Sequence, residues 1–572
     1  MGACGIERLD SSKRLPLPFS EPDLIDHALS STSLASSSAK ARLEERRADD
    51  AARWLCLALV ALPLAQTFNW DFDRVAPLAF VSVALWAGRT ALTRALTRIA
   101  NLRPPLLRWT IWLVPVNAGL SVIASPHPAP ALVMLSSWVL LAAGALVVGQ
   151  IVAEKPARAL WLLHALAFSA VIGTLIHWGQ WRLGASPEEA FYPHPRVMGL
   201  HVLGGTLAST TLLFGCVGRE RIGWLVGGIV CWGGLFWTGS RAPLAAILAT
   251  LFLWLVLAPK HARLRLVGSA ALLIAGGLIL SIVLDSKIPH LGSTGLWKRT
   301  VDVSSAKELT SNRSDFWQSA WQRGWESRWL GHGPDAYRYL EPKLEGAQPH
   351  NVLLQWLLDF GLFGTIALVF LVLYALWRGL RRNDMATTAA GWPLIACASF
   401  VAGQLDGFFY HQAALFTTAM ALGICACAAK VYHAQVFVRP WWTRAWPIAA
   451  VGSASVLIAH SWLHYRVGRA RPPMPTDPVV HLWYAFPSTT AGLDRWIWNW
   501  SATAPDAALS LSRYAHDHSP NGDYFRVVTA GILLRNGDRA GALQEMQNAL
   551  TIAPWQRRTL LRELRDNMAA SK

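Results

Sequence analysis

The chain has 572 residues, 53% of them apolar and 15% charged, with 30 Trp and a net charge of +17, a balance that soluble globular proteins rarely reach. The excess charge does not point to nucleic acid, because the Lys and Arg stand in short clusters between long apolar runs, where they hold loops on one side of a bilayer. Of the seven Cys, all but Cys4 sit inside apolar segments, which leaves no disulfide framework and no zinc spacing.

Residues 1–50 are polar and Ser-rich and end in the charged run Lys40 to Asp50. That composition cannot bury a core, so a disordered tail is expected; no short apolar stretch with a cleavage site precedes the first span, which puts the tail in the cytoplasm. A membrane-crossing helix takes roughly 20 mostly apolar residues. In chain order the candidates are 54–69, 75–92, 109–124, 131–153, 159–178, 199–217, 222–239, 242–258, 266–284, 352–377, 389–405, 413–431 and 446–463. The reading is therefore an all-α polytopic membrane protein of about 13 transmembrane helices.

Alternate loops differ in charge. Arg89, Arg94, Arg98, Arg103 and Arg108 mark one, and Lys155 with Arg158, Arg219 with Arg221, Lys260 with Arg263 and Arg265, and Arg378 with Arg381 and Arg382 mark later ones. These loops are expected in the cytoplasm of a bacterial cell, bounded by its inner membrane. An odd number of spans then carries the C-terminus to the periplasm. The chain divides into the tail 1–50, a transmembrane domain 51–463 with a long periplasmic loop at 285–351, and a small periplasmic helical domain at 464–572.

Within the long loop, Trp317, Trp321, Trp325 and Trp329 recur every four residues, which sets them along one helical face. Such a helix either lies along the bilayer surface or packs that stripe onto neighbouring protein. In the C-terminal domain, Ala508, Ala515 and Pro520 are followed 34 residues later by Ala542, Ala549 and Pro554, the period of tetratricopeptide helix pairs. Two such repeats, at about 502–555, are expected to bind a periplasmic protein or to serve as packing.

The most informative stretch runs from His350-Asn351 at the outer mouth of the span 352–377 through nine residues to Gly361-Leu-Phe-Gly364-Thr365. This resembles the His-[Asn/Ser/Gln]-x9-Gly-x-x-Gly-Thr signature of the O-antigen ligases, within the superfamily that also holds O-antigen polymerases and protein O-oligosaccharyltransferases. Upstream, Leu330-Gly331-His332-Gly333-Pro-Asp-Ala-Tyr337 resembles that superfamily's Leu-Gly-x-Gly-x-x-x-[Phe/Tyr] turn. Ser240-Arg241-Ala242 resembles its Ser-Arg-[Gly/Ala] step and Arg196-Val-Met-Gly199 its Arg-x-x-Gly step. After Arg196 the family often shows Pro-Asn where this chain has His201-Val202.

The chemistry asks for the same residue types. Moving a glycan from a polyprenyl diphosphate to a hydroxyl needs a base for the hydroxyl proton and cations for the charge that develops on the diphosphate. Imidazole titrates near neutrality, which suits His350 to the first task; guanidinium holds phosphate oxygens through paired hydrogen bonds, which suits Arg241, Arg313 and Arg196 to the second. Asn351 and Tyr337 complete the set as diphosphate- or glycan-binding residues. Asp359 and Asp406 stand at helix ends, where a carboxylate commonly faces water or orients a neighbour, and are set apart from this group.

No Walker-type loop, Asp-x-Asp metal pair or zinc cluster appears, so the donor is expected to be lipid-linked, with no cofactor and no metal. The resemblance implies an undecaprenyl diphosphate glycan as donor, inversion at the anomeric carbon, and lipid A core or a protein as acceptor. Ligase is the first expectation. Protein O-glycosylation, suggested by the C-terminal domain, and polymerisation are the alternatives, with a polysaccharide-lipid transporter as a distant fourth.

Overall fold

The computed structural model describes residues 41–61, 76–100, 105–182, 195–285, 313–339, 348–407, 411–427, 449–459, 493–518 and 522–552, with the single residues 39 and 409. Among them helix is the only regular structure apart from turns. The order is α1 (41–61), α2 (Ala76–Ala87), α3 (Arg89–Ala100), α4 (Pro105–Ala124), α5 (Pro128–Glu154), α6 (Ala157–Arg182), α7 (Pro195–Gly215), α8 (Gly218–Trp237), α9 (Arg241–Leu257) and α10 (Lys260–Asp285). There follow α11 (Arg313–Glu326), α12 (Val352–Arg382), α13 (Gly391–Leu405), α14 (Gln412–Cys427) and α15 (449–459), then α16 (Leu493–Thr503), α17 (Pro505–His518), α18 (Gly522–Arg535) and α19 (Arg539–Ile552).

Seven of the described helices are long and apolar enough to cross a membrane: α4, α5, α6, α7, α10, α12 and the segment Thr388–Leu405 that contains α13. Shorter apolar helices at Arg241–Leu257, Ala414–Ala426 and Ala449–Ala459 accompany them. The chain is a helical membrane protein.

The centre of the bundle is α7. Its polar residues Thr206, Ser209, Thr210 and Thr211 are fully buried, and each hydroxyl donates to a carbonyl of the preceding turn, which removes the cost of an unpaired hydroxyl in an apolar interior. The indoles of Trp232, Trp237, Trp254 and Trp392 are buried around it. Trp254 Nε1 donates to Met385 O at 2.8 Å and Trp392 Nε1 to Ala159 O at 2.9 Å. These bonds tie the start of α13 to the start of α6 and the end of α9 to the loop that follows α12.

The helices alternate in direction, so their ends sort onto two faces. The starts of α6, α8 and α10 and the end of α12 share one, and the described arginines of the arginine-rich loops named above lie there; it is called the basic face below. The starts of α7, α9 and α12 and the end of α13 share the other.

Two boundaries differ from expectation. Residues 41–50, assigned to the disordered tail, are already helical. Their acidic side chains answer the basic face: Arg94 pairs with Glu44 at 3.1 Å, Lys155 with Glu45 at 3.3 Å, and Arg158 with Asp49 at 2.8 Å. The expected span 75–92 ends at Ala87, and α3 continues from Arg89 as an amphipathic helix whose Arg94 also reaches Glu154 at 3.1 Å.

The tail helices α16 to α19 pack in succession around two small cores. Ala508 and Ala515 are buried in one and Ala542 and Ala549 in the other, while Pro520 and Pro554 lie outside the described residues.

Candidate functional site

Asn351 caps α12. Its side-chain oxygen accepts from Leu353 N at 3.0 Å and Leu354 N at 3.1 Å, which satisfies two of the amides that a helix start leaves without partners. The same side chain donates through Nδ2 to Gln404 O at 3.2 Å and so ties the start of α12 to the end of α13. The residue before it, His350, has a left-handed backbone (φ 54°), uncommon outside glycine.

That backbone turns the imidazole onto Asp406, the residue that ends α13. His350 Nδ1 lies 3.0 Å from Asp406 Oδ1, and Arg313 Nη2 lies 3.3 Å from Asp406 Oδ2. The Gly407 amide donates to Asp406 Oδ1 at 2.8 Å. Phe316, one turn into α11, stacks on the imidazole with ring centroids 5.9 Å apart. Burial works against ionisation of Asp406, but the His350 hydrogen bond and the Arg313 charge outweigh it and hold the carboxyl well below the usual carboxylate range. The imidazole is 18% exposed, enough to meet a substrate.

The structure thus joins His350 and Arg313 through Asp406, a residue that its position at a helix end had set apart, while Asn351 holds the start of α12 beside them. A signal for Asp406 did exist. A carboxylate at a helix C-terminus faces the negative end of the helix dipole, and closing an otherwise uncharged apolar span it demands a cationic or hydrogen-bonding partner.

Arg241 opens α9 directly after the turn Thr238-Gly239-Ser240, with Gly239 at φ 61°. Because α9 packs antiparallel on α13, Arg241 stands at the same end of that pair as Asp406. Arg196 lies in the first turn of α7, on the same face, with its side chain outside the described ones. The two motif steps meet: a Cβ on Gly199 would lie 2.6 Å from Ser240 Oγ. His201, standing where the family often shows Pro-Asn, is buried 3.3 Å from Ser169 Oγ.

Tyr337 is placed differently from the others. It is buried in a small cluster with Ala320 and Leu358 between α11 and α12, and burial raises its hydroxyl pKa against the opposing charge of Arg323. There it packs the turn 331–339 against both helices.

That turn passes through a break in α12. At Gly361 (φ 65°, ψ −168°) the helix is interrupted, and segment 328–333 takes up the groups the break releases. His332 N donates to Leu358 O at 2.6 Å, Gly333 N to Asp359 O at 3.1 Å, and Leu362 N to Arg328 O at 2.7 Å. Asp359 itself is fully buried, with Gln355 Nε2 3.5 Å from its Oδ2.

Among the described residues no group of three or more His, Cys, Asp or Glu side chains is gathered as a metal site would need.

Residues 226–369 match the family model described as O-antigen ligase. The matched stretch runs from within α8 into α12 and contains Arg241, Arg313, His350, Asn351 and Gly361; Arg196 and Asp406 lie outside it. No curated protein matches the chain.

Proposed function

We propose that this chain, whose residues 226–369 match the O-antigen ligase family model, moves a glycan from undecaprenyl diphosphate to an acceptor hydroxyl on the periplasmic side of the bacterial inner membrane. The membrane glycosyltransferase class follows from the domain and the fold. The donor, compartment and acceptor are our reading, and it rests on one observation: an imidazole and a guanidinium held by a single carboxylate, Asp406.

In the tautomer that donates Nδ1–H to Asp406, in place of accepting from the Gly407 amide 3.1 Å away, the imidazole presents Nε2 as a base. The acceptor oxygen attacks the anomeric carbon as its proton passes to Nε2, a new glycosidic bond forms, and the bond to the diphosphate oxygen breaks with inversion. The electron pair leaves with undecaprenyl diphosphate. Arginines then stabilise the leaving group: Arg241 and Arg196 at the starts of α9 and α7 add guanidinium charge where helix N-termini already favour anions. Arg313, neutralised in part by Asp406, positions that carboxylate and borders the phosphate site.

Transfer onto lipid A core is the reading we favour, because His350-Asn351 and the Gly361 to Thr365 step are complete. The helical tail supports a protein acceptor or partner as the second reading, with α16 to α19 built from buried alanine contacts as helix-pair repeats are.

The test is His350→Ala and His350→Gln in membranes supplied with purified lipid-linked glycan. Loss of a proton acceptor is expected to lower transfer by about 10²- to 10⁴-fold, with donor binding kept. Undiminished transfer by both variants would remove the imidazole from the chemistry. Glycan analysis of lipopolysaccharide and of pilins in a deletion strain then separates the acceptors.

A further inference from the structure

A cleft opens on the basic face, at the opposite end of the bundle from His350. Helices α8 and α10 cross closely in their middle: a Cβ on Gly228 would lie 2.7 Å from Leu273, and one on Gly276 would lie 2.9 Å from Ile229. Towards the basic face the two helices part, and a Cβ on Gly223 or Gly268 would meet nothing within 4 Å.

The space between them measures about 410 Å³. It is lined by the apolar side chains of Leu213, Ile222, Leu225 and Leu272, by Gly268 and Ser269, with Ser269 buried at its floor, and by Arg221 and Arg265, which are exposed at its mouth. Arg265 is steadied by Phe214, whose ring centroid lies 4.5 Å from its guanidinium carbon. Ser269 is buried, 5% exposed, and its hydroxyl has no hydrogen-bond partner among the described residues.

An unanswered hydroxyl at the floor of an apolar cleft is costly unless a ligand atom reaches it. Two guanidiniums at the mouth ask for an anion, and paired phosphate recognition is what that group does best. A free anion would use the mouth and leave the apolar walls bare. Ile222 and Leu272, 65% and 53% exposed on the outside of the bundle, continue the cleft sideways to where acyl chains lie. We propose that this cleft binds one anionic phospholipid, its phosphate between Arg221 and Arg265 and its chains along Ile222, Leu225 and Leu272. The site rests on the chain's being a membrane protein and is independent of glycosyl transfer.

A Cβ at Gly268 meets nothing within 4 Å, so Gly268→Leu is expected to keep the fold and to take up space in the cleft. Arg221→Gln with Arg265→Gln keeps size and loses charge. Native mass spectrometry of the full-length protein, titrated with phosphatidylglycerol or with phosphatidylcholine, reads the outcome. The wild type is expected to hold one phosphatidylglycerol more tightly than either variant does, by roughly thirtyfold for the double arginine change at about one unit of surface charge energy per arginine. Phosphatidylcholine bound equally well, occupancy unchanged in both variants, or displacement by soluble glycerol phosphate would each overturn the proposal. Melting temperatures of the variants close to the wild type's separate loss of the site from loss of the fold.

Discussion

Gly331 and Gly361 lie main chain against main chain. A Cβ on Gly331 would stand 2.5 Å from the carbonyl carbon of Asp359, and a Cβ on Gly361 would stand 2.6 Å from Leu330 N. Each of the two glycines has positive φ, 76° and 65°, so side chains are refused there by conformation as well as by space. One glycine comes from the turn after the tryptophan helix and the other from the middle of a span, and each makes room for the other.

Gly331→Ala and Gly361→Ala are therefore expected to destabilise the fold by on the order of 1–3 kcal/mol each, whereas Gly268→Ala is expected to change little. Thermal unfolding of the purified protein in one detergent compares the three. A Gly361→Ala protein as stable as Gly268→Ala would mean that the helix break is not held by this crossing.

Asp406→Asn keeps the shape of the carboxylate and removes its charge. The amide no longer fixes the imidazole tautomer, and transfer is expected to fall by at least about 10²-fold. Asp406→Glu is expected to recover part of it. Rates at saturating donor separate this from a binding defect: the loss belongs in turnover if Asp406 orients His350, and in apparent donor affinity if it only places Arg313.

The same residue sets a pH dependence. Its folded carboxyl sits below the ordinary range, so the stabilisation it adds is fully present above the unfolded carboxylate pKa of about 4 and fades as pH falls below that, through the folded value. The difference in melting temperature between wild type and Asp406→Asn should persist down to about pH 5 and narrow below about pH 4. A difference that does not narrow there would contradict the ion-pair account.

Arg158, with its side chain 2% exposed, carries Asp49 at 2.8 Å and the Ile151 carbonyl at 2.8 Å. Asp49→Ala leaves a buried guanidinium short of its countercharge and is expected to cost about 3 kcal/mol. Limited proteolysis near residue 40 reads the local effect. Unchanged protection of α1 would show that its apolar contacts alone hold it.

The tryptophan helix yields another expectation. Phe316, Ala320 and the Gly324 surface face α12, leaving Trp321 and Trp325 52% and 41% exposed, and Trp329 stacks on Phe363 of α12 with centroids 5.2 Å apart. We propose that these indoles enter the bilayer interface. A photoreactive amino acid in place of Trp325, in nanodiscs of known phospholipid, is expected to give lipid adducts. Adducts to protein alone would turn the face into an intermolecular contact.

Much of this was written in the sequence. Apolar runs near the bilayer thickness and cation-rich loops determine a helical membrane protein and the sorting of its helix ends, because each signal is local: a helix satisfies its own backbone and a charged loop stays out of the lipid. The His350-Asn351 step and the Gly361 to Thr365 step carry the resemblance to the O-antigen ligases in the same local way. Spacing alone does not reveal that Asp406, 56 residues beyond His350, closes the site, that Tyr337 turns inward, or that segment 328–333 repairs a broken helix. Nor does it show where α8 and α10 part. Those are decided where separate helices meet, since a carboxylate, a glycine or an empty hydroxyl acquires its role only from the atoms that packing brings against it.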